Sequence, residues 1–148
     1  MRIRLAAGLV ALAVVAPMVS GYAIDAHHAD AGTPTLGPGV VTVQLDARYS
    51  RFSPDHLRVY QGTLVRFVVT NHDPINHEFI VGNDDVHTAH EAGHEAFHPP
   101  VPGEVSLDAG ETGLTTYLFD DAGTVRFACH MPGHLAYGMK GTVTVIAA

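Results

Sequence analysis

The chain of 148 residues has no tryptophan, one cysteine, and only eight lysines and arginines against fifteen acids, for a formal charge of −7. Each shortage excludes something. Neutralising a phosphate backbone takes clustered basic side chains, so nucleic acid is not an expected partner, and neither is an anionic membrane surface. A lone Cys129 cannot close an internal disulfide. The longest apolar stretch, Leu5 to Val19, falls short of the ~20 residues that cross a bilayer, and no cysteine stands near its end to take a lipid.

That stretch fits an export signal covering residues 1–23. Arg2 and Arg4 supply the basic start, and Gly21-Tyr22-Ala23 offers small residues for cleavage; retention as an anchor is the alternative. Processing removes two arginines and no acid, which moves the charge from −7 to −9. The expected location is extracytoplasmic (periplasmic, secreted or cell-surface), with no membrane insertion after processing. A free thiol in such a place is prone to oxidation, so Cys129 calls for a function. Residues 24–39 are rich in proline and glycine and nearly devoid of large apolar side chains. They read as a flexible linker, with His27 and His28 solvated in it.

Histidine is what the chain has in excess. It carries 11, where a domain of this size would hold roughly three to four. From Val40 onward the apolar residues recur with period two. VVTVQLD, LRVY, LVRFVVTN, HEFIVG, EVSLD, LTTYLF, TVRFAC and TVTVI are short β-branched and aromatic runs separated by Gly, Pro, Asn or Asp, the pattern of an all-β sandwich or barrel. One segment departs from it. Residues 84–98, DDVHTAHEAGHEAFH, open with two aspartates and stop at Pro99-Pro100, which predicts one short inserted helix. On a helical wheel Val86, Ala89, Gly93, Ala96 and Phe97 gather on one side. His87, His90, His94 and His98 share an arc of about 80° on another. This histidine stripe is a candidate for extra metal, or else a solvated face.

The densest chemistry lies in Phe127 to Gly141, FACHMPGHLAYGMKG. Cys129, His134 and Met139 stand five and five residues apart on one loop between two strands. Thiolate, imidazole and thioether together suit copper; two histidines and a cysteine in a plane with a weak axial methionine make the blue-copper set. His77 is the best candidate for the second histidine, because it opens a strand after the turn signal DPIN.

The stretch F-x-C-x-x-P-G-H-x-x-x-G-M-x-G-x-V-x-V closely resembles the C-terminal copper loop of the cupredoxins, the blue copper family of plastocyanin, azurin and auracyanin. The upstream run FSPDHLRVYQGTLVRFVVTN, with Phe52, Pro54, Leu57, Val59, Gly62, Val65, Phe67 and Asn71, is similar to the family's pattern before its first histidine ligand. The resemblance spans roughly Val40 to Ile146. It implies a Greek-key β-sandwich, residues 40–148, holding one type 1 copper through His77, Cys129, His134 and Met139. Two positions depart from the family. Glu78 follows the first histidine where many members have Asn, leaving Asn76 as the substitute. His130 follows the cysteine where Thr or Ser is common, and by strand alternation its side chain should point away from the metal.

Three functions compete. A one-electron carrier cycling Cu(I)/Cu(II), and so not an enzyme, needs only the blue site. It would dock a redox partner protein near His134, among Pro132, Leu135, Ala136, Tyr137, Pro74 and Ile75. A copper-handling or resistance protein would also use the histidine stripe. A zinc metalloprotease is suggested by His90-Glu91-Ala92-Gly93-His94, which matches H-E-x-x-H. The longer metzincin form fails, because Phe97 and Pro100 occupy the places of its glycine and third histidine.

Overall fold

The computed structural model describes residues 33–93 and 101–147; the export signal, most of the linker, and His94 and His98 lie outside these. The described chain is a β-sandwich with one short helix. One sheet has the order β1 (Thr35–Leu36), β4 (His56–Tyr60), β10 (Lys140–Ile146), β9 (Gly123–Ala128), β6 (His77–Gly82), β7 (Glu104–Leu107). The other has the order β3 (Phe52–Ser53), β2 (Val40–Ala47), β5 (Thr63–Asn71), β8 (Thr112–Phe119). All eight period-two runs form strands. The ordered sheet begins earlier than the composition of the linker predicts: Thr35 and Leu36 pair in parallel with Arg58 and Val59, and Leu36 packs on the core. Among the described residues no helix is long and apolar enough to cross a membrane.

Alternation builds the core. Val65, Phe67 and Val69 of β5, Val43, Leu45 and Ala47 of β2, and Val143 and Val145 of β10 turn inward, as period-two strands with one buried face must. Phe52, Phe67, Phe79, Phe119 and Phe127 form a connected set, with Phe79 between Phe67 (ring centroids 4.9 Å apart) and Phe127 (5.3 Å). Burying each contributes about 1.5–3 kcal/mol relative to exposure. Truncating Phe79 to Ala would therefore cost several kcal/mol, about 3–5 by the usual cavity penalty.

Strand β6 differs from its neighbours because all six of its residues are buried. Phe79 and Val81 join the inter-sheet core. Glu78 and Ile80 face the other way and are covered too, on the side where helix α1 (Asp84–Ala92) packs against β6. Gly82 permits that approach, since a Cβ there would stand 3.0 Å from the Cβ of Val86. Asn83 caps the helix through its side-chain oxygen, which accepts from the Val86 N–H at 3.1 Å.

One expectation about this helix is corrected. It ends at Ala92 rather than at residue 98: Gly93 leaves the helical conformation and its N–H bonds back to the carbonyl of His90. Its inward side is the histidine one. Ala89 and Gly93 are exposed, whereas His87 is fully buried and His90 half-buried. Burial of His87 is affordable because both ring nitrogens are hydrogen-bonded.

Candidate metal centre

Strands β9 and β10 are joined by the loop that follows Ala128, and its ends are closed by the backbone. Cys129 N–H donates to the Met139 carbonyl at 3.0 Å, and Met139 N–H donates to the His134 carbonyl at 3.0 Å. Within the loop His134 N–H bonds to Met131 and Tyr137 N–H to Gly133, each at 3.0 Å. Gly133 has φ +86°, a left-handed conformation that a residue with a Cβ adopts only under strain. These turns fold His134 back over Cys129.

His77, Cys129 and His134 converge, each offering a ligand atom within 4.8 Å of the other two. The Nδ1 atoms of His77 and His134 stand 3.2 Å apart, and the Cys129 Sγ lies 3.2 Å from His134 Nδ1. His77 and Cys129 are fully buried, His134 half-buried, and Met139 fully buried at the end of the same loop. Soft sulfur and imidazole donors gathered with so little water fit copper.

Asp73 fixes the orientation of His77, and nothing in the spacing of the ligands announces it. Its Oδ2 accepts from His77 Nε2 at 2.8 Å, so the proton of the neutral ring sits on Nε2 and Nδ1 presents its lone pair to the site. The carboxylate is itself held by the N–H groups of Tyr49 (2.7 Å) and Ser50 (2.8 Å). Burial acts to raise the Asp73 pKa, but the Ser50 N–H, the His77 ring and the Tyr49 N–H outweigh it and bring it below the usual value. Asp73 begins the DPIN turn four residues before His77. A carboxylate in the turn leading to a histidine ligand was the available signal.

Burial pushes the Cys129 thiol up to about 11, against the lowering effect of hydrogen bonds with the backbone of Glu78 and Met131. A cation at the sulfur must therefore displace a proton. His134 is held below its ordinary value by burial and then by the nearby His77, with Asp73 opposing. Its nitrogen thus stays available as a donor at neutral pH.

Glu78, rather than Asn76, ties the strand of His77 to the cysteine loop. Its Oε1 accepts from the His130 N–H at 2.6 Å, while Asn76 turns to accept from Ala109 N–H at 3.1 Å. His130 points away from Cys129, as alternation predicts, and lies under α1. There His87 Nδ1 meets His130 Nε2 at 2.8 Å and His87 Nε2 meets the Arg126 carbonyl at 3.1 Å. Burial, followed by His87, His90 and Arg126, lowers the His130 pKa to about 4; burial also lowers His87. His90 contacts His130 ring to ring, with centroids 5.9 Å apart.

At its two described positions, the stripe does not form a solvated face. His87 is a buried hydrogen-bonded residue, His90 is partly covered, and His94 and His98 fall outside the described residues. In the H-E-x-x-H pattern, His90 lies in α1 while His94 lies beyond its end.

Comparison with known proteins agrees with this geometry. Residues 40–146 match the family model for copper binding proteins of the plastocyanin/azurin family. The chain is 38% identical over 132 residues to the copper-resistant cuproprotein CopI of Rubrivivax gelatinosus, covering 81% of this chain and 78% of that one. It is 34% identical over 109 residues to auracyanin-B of Chloroflexus aurantiacus, covering 64% of this chain and 46% of that protein. A solved structure of auracyanin B superposes with a TM-score of 0.59 at 29% identity, covering 78% of this chain and 95% of that one.

Proposed function

The chain belongs to the plastocyanin/azurin family of copper-binding proteins, the cupredoxins, and on that premise we propose that it is an exported one-electron carrier with a single type 1 copper. His77, Cys129 and His134 are its equatorial ligands and Met139 its weak axial one. The observation that carries this reading is the convergence of three donors within 4.8 Å on a loop closed by its own backbone. A site shaped before metal arrives changes little between Cu(I) and Cu(II), and a small rearrangement favours fast transfer. No substrate bond is made or broken. Export rests on the signal pattern over residues 1–23.

Electrons would pass through the edge of the half-buried His134 ring. Pro132 and Ala136 around it are exposed, Tyr137 is 71% exposed, and Ile75 on the turn before His77 is 47% exposed. An uncharged patch of this kind suits a redox partner protein that docks weakly and leaves after each transfer. Leu135→Glu should slow electron exchange with the physiological partner at least severalfold and leave the copper spectrum unchanged. An unaltered rate would place the port elsewhere.

A second reading, copper handling, is favoured by the 38% identity to a copper-resistant cuproprotein. Copper titration separates the two. One equivalent with an intense blue thiolate band supports the carrier; further equivalents bound by the domain support handling.

A further inference from the structure

The hairpin that joins β2 to β3 turns through Arg48, Tyr49, Ser50 and Arg51, and backbone hydrogen bonds of 2.9 and 3.1 Å pair the two arginines. Tyr49 and Ser50 have φ of 54° and 50°, left-handed values that glycine or asparagine usually supplies in so tight a turn. The turn keeps this strained form by its grip on Asp73, whose carboxylate accepts from both N–H groups. Asp73 opens the turn that carries Pro74 and Ile75 to His77, so the hairpin tip is anchored at the copper end. Arg51 marks the same place: its guanidinium carbon would lie 3.6 Å from a Cβ on Gly138, the neighbour of Met139.

The tip displays positive charge and an aromatic ring. Tyr49 is 83% exposed, and Arg48 and Arg51 are exposed on either side of it. Among the described residues neither arginine is ion-paired with a carboxylate. The acids beside the hairpin are engaged elsewhere, Asp73 with His77 and Asp46 with His72, each at 2.8 Å. Asp108 and Glu111 belong to the loop between β7 and β8, at the opposite edge of the four-stranded sheet from β3. In a chain of formal charge −7, two unpaired guanidinium groups at the copper end are a local exception. We propose that Arg48, Tyr49 and Arg51 extend the uncharged patch around His134 into a docking surface for a redox protein whose contact face is acidic. The ring and the arginine stems add apolar area, while the guanidinium groups select the partner by charge. Asp108 and Glu111 repel the same acidic face and so fix its orientation.

This proposal deepens the carrier reading and rests on it. Small complexes serve as probes in place of the partner. In nuclear magnetic resonance of the reduced, copper-loaded protein, hexacyanochromate(III), a paramagnetic trianion that takes no electron, should broaden the amide signals of residues 48–51 and 138 first. The paramagnetic trication hexaamminechromium(III) should leave them sharp. Hexacyanoferrate(III) takes one electron from the reduced protein, leaving Cu(II) in the protein and hexacyanoferrate(II) in solution. Arg48→Glu/Arg51→Glu should slow this transfer roughly fivefold or more at low salt with the blue band unchanged, and the difference should vanish near 1 M salt, where the screening length is about 3 Å. Arg58→Glu/Arg66→Glu, the same charge change on β4 and β5, should slow it less than about twofold. Equal losses in the two double variants, or broadening that starts elsewhere or follows the trication, would overturn the docking surface and leave the carrier reading standing. A blue protein that yields no electron to hexacyanoferrate(III) would overturn both.

Discussion

Two histidine groups flank a single peptide bond and show opposite ways of placing imidazoles in a protein interior. At the copper end, His77 and His134 turn their Nδ1 atoms toward each other at 3.2 Å, with a thiol beside them. Under α1, His87 is satisfied at both nitrogens and passes a hydrogen-bond chain from His130 to a backbone carbonyl. The first arrangement gathers donor atoms around one point, where a cation can hold them all. The second distributes its protons and stabilises the fold. Histidine content alone therefore says little; the partner of the second ring nitrogen decides whether the first is a ligand.

The contrast can be broken most completely at Cys129. Cys129→Ser should abolish the blue colour outright while the sandwich still folds around its phenylalanines, as absorbance and circular dichroism would record. A serine variant that stays blue would end the assignment of the copper end.

His87→Leu should do the reverse. It leaves the Arg126 carbonyl and the His130 N–H without their partner, which should cost about 2 kcal/mol or more, while the copper-loaded variant stays blue. Urea denaturation checks this; unchanged stability would return His87 to the status of a surface residue.

A third difference appears with pH in the metal-free protein. His87, His130 and His134 all have lowered folded-state pKa values, so the unfolded chain takes up protons first. Their contribution to stability should be whole above about 6.5 and lost as pH falls toward about 4, where folded His130 protonates. The thermal midpoint should decline across that window; a flat profile would contradict the buried neutral pair.

The smallest effect sharpens the copper end alone. Asp73→Asn gives His77 a neutral partner in place of an anionic one, which should weaken Cu(II) relative to Cu(I) by roughly tenfold and raise the potential by about 60 mV. Voltammetry showing no rise would reduce Asp73 to a turn residue.

Much of this was legible in the chain. The runs of period two name the eight main strands, and Cys129, His134 and Met139 at five-residue spacing name the loop, because a ladder's hydrogen bonds and a short loop leave few places for these side chains to go. The helix was legible in its start and not in its inward face. Alanines and a glycine look apolar by composition, yet α1 lies on the polar outer side of β6 and β9, where Glu78, Arg126 and His130 wait, so histidine is the complementary residue. Asp73 and Glu78 escaped for a related reason. Glu78 accepts from the His130 N–H, and Asp73 from His77, Tyr49 and Ser50, contacts that have no period to detect.

The alternation that sends Cys129 to one face and His130 to the other also limits how this strand can change over generations. Deleting one residue in β9 just before Cys129 would rotate an imidazole into the thiol's place and carry the sulfur out beneath the helix, and inserting one would carry the sulfur there as well. Substitutions can tune this segment, but a single-residue deletion would interchange two chemistries at once. Families of such proteins should vary in length within the loop after Cys129 and before Met139 far more readily than within the strand that delivers them.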